Sequence, residues 1–234
     1  MTYFEDFPTT IEEYPPVPPI TTRNRIPKGQ SVTKKFSVLS IDPTPKFNGK
    51  DWDLEITGAI ENPKKFSWKE ILDLPKATVK ADFHCVTGWS RLDNVWEGVL
   101  FKTICDIVKP LPEAIAVTSY GNQFYTSSMP LKDYMLDDDV ILAYRHDLDQ
   151  QGQFLDPEHG GPLRLVIPKI YAYKSTKWLK KLDFTTTWER GFWEQRGYHQ
   201  RASPFLDERY SSQEKKVKRN RLELQKEFRE KYRF

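Results

Sequence analysis

Apolar residues at Trp52, Leu54 and Ile56 alternate with polar ones, the period-two pattern of a half-buried strand over residues 52–58. Asn62-Pro63 marks a turn, and Ser67 followed by Glu70 predicts a capping box that opens a short helix ending before Pro75. Alternation returns over residues 78–86. Val79, Ala81, Phe83 and Cys85 share one face and Lys80, Asp82 and His84 the other, until Thr87-Gly88 breaks the pattern. Over residues 100–108, Leu100, Ile104, Ile107 and Val108 fall on one helical stripe. Residues 115–119 and 124–127 read as strands around a hairpin turn at Gly121-Asn122, and residues 140–144 and 163–167 as two more short strands. Strands predominate, short helices lie between them, and no regular βα alternation occurs. That pattern predicts an α+β fold, mixed and mostly β.

The two ends of the chain differ from its middle. Residues 1–30 hold six prolines, including the run Pro15-Pro16-Val17-Pro18-Pro19, and predict an extended arm. Residues 212–234 carry nine Lys or Arg against four Glu, a net of +5, which leaves about −2 on the remainder of a chain whose total is +3. The body is therefore not a basic nucleic-acid surface, and only the tail could act as one. The expected organisation is a proline-rich arm over 1–30, one folded domain over 31–211 and a basic, charged tail over 212–234. Two cysteines cannot build a disulfide framework, which suits a reducing compartment. No basic-then-apolar leader follows Met1 and no window approaches the ~20 apolar residues of a membrane helix, so the cytoplasm is the expected location.

Three segments could carry chemistry. Cys85 lies where a strand gives way to Thr87-Gly88-Trp89-Ser90; it reads either as a buried structural thiol or as a soft ligand for a redox-active metal. Cys105 falls within the 100–108 helical pattern and reads as core. His159-Gly160-Gly161-Pro162-Leu163-Arg164 offers either an ordinary turn or an anion nest backed by an arginine. Lys174-Ser175-Thr176-Lys177-Trp178 combines cations with hydroxyls and suits phosphate. Zinc spacings, Gly-x-Gly-x-x-Gly and a phosphate loop are all missing from the sequence.

Taken in order, these pieces resemble the molybdopterin-binding domain of the sulfite oxidase family. The string is Trp52 to Gly58 with Asn62-Pro63, then Cys85, Tyr125-Thr126-Ser127-Ser128-Met129-Pro130-Leu131, Leu142-Ala143-Tyr144, His159 to Arg164 and Lys177-Trp178-Leu179. It covers roughly residues 50–200. Around the cysteine, Cys85-Val86 with Trp89-Ser90 two residues on is similar to the bacterial methionine sulfoxide reductase branch. Sulfite oxidases tend instead to carry Asn-Arg-Arg there, and this chain has Gly88-Trp89-Ser90-Arg91. A second departure is Ala172, where the family often has glycine.

The resemblance implies a sulfite-oxidase-type fold and molybdenum held by molybdopterin and the Cys85 thiolate. It also implies two-electron oxygen-atom transfer with a small-molecule substrate and a separate electron-transfer partner. It casts Cys85 and Tyr125 as catalytic. His84, Trp89, Ser90, His159, Arg164, Lys174, Ser175 and Lys177 become cofactor contacts, and Arg91 and Tyr125 substrate contacts. Lacking the Asn-Arg-Arg element, the pocket is expected to be less cationic than a sulfite site and to favour reduction of a neutral S- or N-oxide. Sulfite oxidation, a non-catalytic molybdopterin-binding module and a tail-driven adaptor for nucleic acid or anionic membranes are the alternatives.

Overall fold

A computed structural model describes residues 11–147 and 154–214. Its strands are β1 Ser31–Val32, β2 Asp53–Gly58, β3 Lys64–Ser67, β4 Ala77–His84, β5 Trp89–Leu100, β6 Ala116–Tyr120, β7 Thr126–Pro130, β8 Ile141–His146, β9 Arg164–Val166 and β10 Lys181–Thr185. Two short helices, α1 Trp68–Asp73 and α2 Phe101–Val108, complete the regular elements together with single turns of 3₁₀ and π helix. One sheet runs β1-β5-β8-β9 with β4 also paired to β5, and the other runs β3-β2-β10-β6-β7. The fold is the mixed, mostly β arrangement that the sequence predicts. Among the described residues, no helix is long and apolar enough to cross a membrane.

The local rules that shape the elements are simple. At α1 the Ser67 hydroxyl accepts from the Glu70 backbone N–H while Glu70 Oε2 accepts from the Ser67 N–H at 2.8 Å, closing the expected capping box. The stripe of α2 buries Phe101, Ile104 and Val108 completely, and Phe101 stacks on Phe184 of β10 at 5.9 Å. Each such side chain contributes about 1.5–3 kcal/mol by leaving water. This large cluster lies on the second sheet, with Leu54, Ile56, Leu182 and Val117 facing α2 and its neighbours. A smaller cluster of Val79, Phe83, Trp96, Ile141 and Val166 holds the first sheet, and the chemistry-bearing residues gather beside it.

Three features depart from the sequence reading. The segment after Gly88 continues as the twelve-residue β5, whose alternation is interrupted by a positive-φ Asp93 and by a register shift at Glu97/Gly98. β10 pairs parallel with β2 and antiparallel with β6 in the middle of the second sheet, yet opens on lysine and buries only Leu182 and Phe184 fully. The expected alternation of residues 78–86 breaks at a bulge between Ala81 and Phe83, so Phe83, His84 and Cys85 are all buried rather than sorted to two faces. The described part of the proline-rich segment lies on the body: Tyr14 is buried against Trp188, and the Pro15 carbonyl accepts from Arg201. Residues 215–234, most of the basic tail, lie outside the described residues.

Candidate active site

Cys85 opens the turn of the β4–β5 hairpin. Its N–H donates to the Trp89 carbonyl at 2.8 Å, its carbonyl accepts from the Gly88 N–H at 3.0 Å, and Gly88 takes the φ of +99° needed to close the loop. Behind the turn, Gln30 Nε2 donates to the Cys85 carbonyl at 3.1 Å and Gln30 Oε1 accepts from the Ser90 hydroxyl at 3.2 Å. The Ser90 hydroxyl also meets His84 Nδ1 at 2.8 Å. Burial pushes the His84 imidazole down to about 4, so the ring is neutral at pH 7. His84 and Ser90, expected as cofactor contacts, are thus placed behind the cysteine turn and brace it. Cys85 lines a cavity of about 370 Å³, and its thiol meets the Thr87 hydroxyl at 3.1 Å.

One end of that cavity is cationic. Arg164, at the start of β9, is 3% exposed, and its Nη groups donate to the carbonyls of His159 at 2.7 Å and Ser175 at 3.1 Å. Its Nε has no partner, and no carboxylate lies within ion-pairing distance among the described residues. Burial pulls this guanidinium down to about 9. Lys177 reaches the same space, donating to Ser40 Oγ and to the Glu158 carbonyl, and burial with Arg164 nearby pulls it down to about 8. Gly160, at φ +110°, is where a Cβ would press to 3.0 Å from the Lys177 stem. His159 stacks on Phe36 at 4.6 Å, and its Nε2 pairs with the Phe36 carbonyl at 2.9 Å, tying down an irregular strap that covers this end. Ser175 and Trp89 also line the cavity.

Two expected contacts are placed elsewhere. Lys174 is fully buried beneath the cavity, bonded to Glu194 and to the Ser128 carbonyl, because the 3₁₀ turn Ala172–Lys174 points it away from Lys177. Arg91 is held by Asp147, Asn94 and His146 across β5 and β8 and does not reach the cavity. The reason is the strand that the sequence reading missed. Arg91 belongs to β5 opposite Phe83, and its guanidinium lies 5.8 Å from the Phe36 ring, drawn off by Asp147.

A second part of the lining is aromatic. Tyr125, where the β6–β7 turn enters β7, donates its hydroxyl to the Tyr173 carbonyl and stacks near Phe192 at 6.1 Å. Burial and the negative charge of Glu194 hold its pKa well above the ordinary 10, so it is a neutral phenol. Trp193 and Tyr198 complete this wall. Sequence reasoning missed Phe36, Gln30, Tyr173, Trp193 and Tyr198; the dense aromatic run Phe192-Trp193 with Tyr198 was the available signal.

The cavity thus brings together a free thiol, the cations Arg164 and Lys177 and a wall of aromatic rings. The family described as oxidoreductase molybdopterin binding domain matches residues 41–193, and the chain belongs to it. It is therefore a molybdopterin-dependent oxidoreductase. It is 39% identical over 188 residues to the uncharacterized oxidoreductase YuiH of Bacillus subtilis, covering 80% of this chain and 92% of that one. Identity is 29% over 175 residues to the protein-methionine-sulfoxide reductase catalytic subunit MsrP of Campylobacter jejuni, covering 69% and 58%. It is 28% over 182 residues to the sulfite oxidase of Arabidopsis thaliana, covering 63% and 45%. The chain thus spans nearly all of the first relative and about half of the other two. Among solved structures, the sulfane dehydrogenase SoxCD from Paracoccus pantotrophus shares the fold at a TM-score of 0.54 and 21% identity, over 66% of this chain and 42% of that chain.

The residues present fit the cofactor. An arginine buried without a carboxylate, with an orphaned Nε, costs free energy unless an anion arrives to satisfy it, which a pterin phosphate does. Cys85 presents a soft sulfur donor to the same cavity.

Proposed function

We propose that the protein reduces a neutral S-oxide or N-oxide by two-electron oxygen-atom transfer, in a catalytic domain of about residues 31–211. Cys85 supplies the protein's thiolate ligand to molybdenum. Arg164, Lys177, His159, Ser175 and Trp89 hold the pterin and its phosphate, while His84 and Ser90 keep the cysteine turn in place. When bound, the group supplies a metal that exchanges two electrons with the substrate. The chain supplies orientation and the walls of the pocket. Reduction of an oxide to its parent compound takes up two electrons and two protons and releases water, and Tyr125 stands at the wall of this cavity as a neutral phenol whose hydroxyl donates to the Tyr173 carbonyl. A separate protein or small carrier donates the electrons. A cytoplasmic setting accords with two free cysteines and belongs to the same proposal.

The observation that carries this reading is the separation of charges. Arg164 and Lys177 are the cationic lining residues, and Arg91, the other candidate for a dianionic substrate, is engaged by Asp147. A sulfite dianion would find no second cation of its own among the described residues. The test compares turnover of an S-oxide with reduced viologen against turnover of sulfite with ferricyanide, on protein assayed for molybdenum and pterin. Faster, micromolar-KM sulfite oxidation would overturn the reductase reading and leave the cofactor assignment intact.

A further inference from the structure

The aromatic end of the cavity holds more ring surface than catalysis at Tyr125 needs. Tyr198 is central to it, with ring centroids 5.1 Å from Trp193, 5.5 Å from Tyr173 and 5.8 Å from Tyr210, at interplanar angles of 64°, 63° and 47°. Phe192 continues the row at 5.2 Å from Trp193, edge-on. Rings inclined this way form a wedge, so a flat group entering it can stack on one face and meet the edge of the next.

The polar atoms of this wall are turned to other work. Tyr125 donates to the Tyr173 carbonyl, and Tyr173 donates to the His199 carbonyl at 2.6 Å. Both rings therefore offer faces rather than hydroxyls. Glu194, beside Trp193 in sequence, is buried with Lys174 and does not line the cavity. Arg196 lies 3.5 Å from the Phe192 centroid and is likewise outside the lining. Trp193, Tyr198, Tyr173 and Tyr125 are each half-buried, with surface left open to a ligand.

We infer that Trp193 and Tyr198 form a specificity subsite for the flat, uncharged aromatic substituent of the substrate, so that aryl or heteroaryl S- and N-oxides are preferred over small alkyl ones. This rests on the oxide-reductase reading of the same site. The four rings carry no charge, and the carboxylates that line the cavity, Asp42 and Glu158, come from the segment 36–42 and the turn Pro157–His159, with Asp42 Oδ2 turned to the Phe124 N–H at 3.5 Å. The subsite acts on binding and not on the electron transfer, so the preference is read in KM more than in kcat.

The experiment uses the cofactor-loaded protein with reduced viologen and two substrates, methyl phenyl sulfoxide and dimethyl sulfoxide. The expected ratio of their kcat/KM values favours the aryl substrate by about tenfold or more, the scale of one good ring–ring contact. Trp193→Leu and Tyr198→Leu should each lower that ratio several-fold through KM, and Trp193→Phe should retain most of it. A calorimetric titration with methyl phenyl sulfone and dimethyl sulfone, which keep the shapes without offering the same reaction, reads the wedge independently of turnover. If both oxides are reduced with equal kcat/KM, or the leucine variants leave the ratio unchanged, the subsite is overturned while the reductase reading stands. If no oxide is reduced, the reductase reading fails. The titration then decides the wedge: aryl preference lost in Trp193→Leu supports it, and equal affinities overturn it.

Discussion

Two sets of cations, buried or partly buried, are built on opposite terms. Behind the cavity, Lys174 pairs with Glu194, Arg190 with Glu214 and Arg201 with Glu208, each cation meeting a carboxylate inside the protein. In the cavity, Arg164 and Lys177 donate to carbonyls and a hydroxyl and lie over the rings of Phe83, Trp96 and Trp178, with no ion pair to either among the described residues. Paired charges break roughly even against their desolvation and hold a structure in register, whereas an unpaired one is tolerated where a ligand completes it. Burial acts on both sets, but Glu194 opposes it at Lys174 and no carboxylate does so at Arg164. Lys174 and Lys177, three residues apart in one loop, therefore differ in kind: one is ion-paired inside the protein, and the other lines the cavity without an ion pair among the described residues.

The largest expected effect tests the paired side. Replacing one member alone, by Lys174→Met or Glu194→Gln, strands a buried charge and should cost about 3–5 kcal/mol in chemical denaturation. The double variant Lys174→Met/Glu194→Leu should recover much of that loss. A cost near zero for either single variant would erase the distinction between the two sets.

Arg164→Gln addresses the unpaired side. It keeps a donor for the backbone carbonyls and removes the charge, so the cofactor-free protein should change stability little. Cofactor affinity should fall by about 1.5–3 kcal/mol, the scale of one charge-assisted hydrogen bond, and the purified protein should carry less molybdenum. Full occupancy in this variant would make Arg164 a structural residue.

Lys177 gives the comparison a pH dependence. Its folded value near 8 lies below its ordinary 10.5, so the unfolded chain holds this proton to higher pH than the fold does. Between about 8 and 10.5 its contribution to the stability of the cofactor-free protein therefore rises with pH. Anion binding at this end runs the other way, because the charge is lost as pH passes 8. Inorganic pyrophosphate affinity of cofactor-free protein should decline above that pH, by up to tenfold per unit, and Lys177→Met should remove the decline that begins near 8 and leave the one that Arg164 gives near 9. The smallest effect is expected at Gln30→Ala, which loosens the Cys85 turn at a cost of about 0.5–1.5 kcal/mol per bond in thermal unfolding.

Much of the frame was legible in the sequence for local reasons. A capping box, an apolar stripe and period-two alternation are written within a few residues, and α1, α2, β2 and the β6–β7 hairpin follow them. β5 was not legible, because a bulge and a positive-φ aspartate disrupt its alternation. β10 was hidden by the lysine it opens on, which lies at the strand end over the Tyr120 ring rather than in the core. The same limit divides the site. Motif order singled out Cys85, Tyr125, His159, Arg164, Ser175 and Lys177, all of which line one cavity. It could not say that Lys174 turns toward Glu194, since that partner comes from a loop twenty residues on. Phe36 and Trp193 were missed because the cavity walls they form are made only when distant segments meet.

The central claim is that Cys85 is the protein's sulfur ligand in a molybdenum–molybdopterin centre. X-ray absorption at the molybdenum edge of purified wild-type and Cys85→Ser protein tests it directly, with Cys105→Ser as the comparison for a buried thiol outside the cavity. The account predicts one fewer sulfur around the metal in Cys85→Ser and an unchanged shell in Cys105→Ser. The same sulfur count in wild type and Cys85→Ser would contradict it.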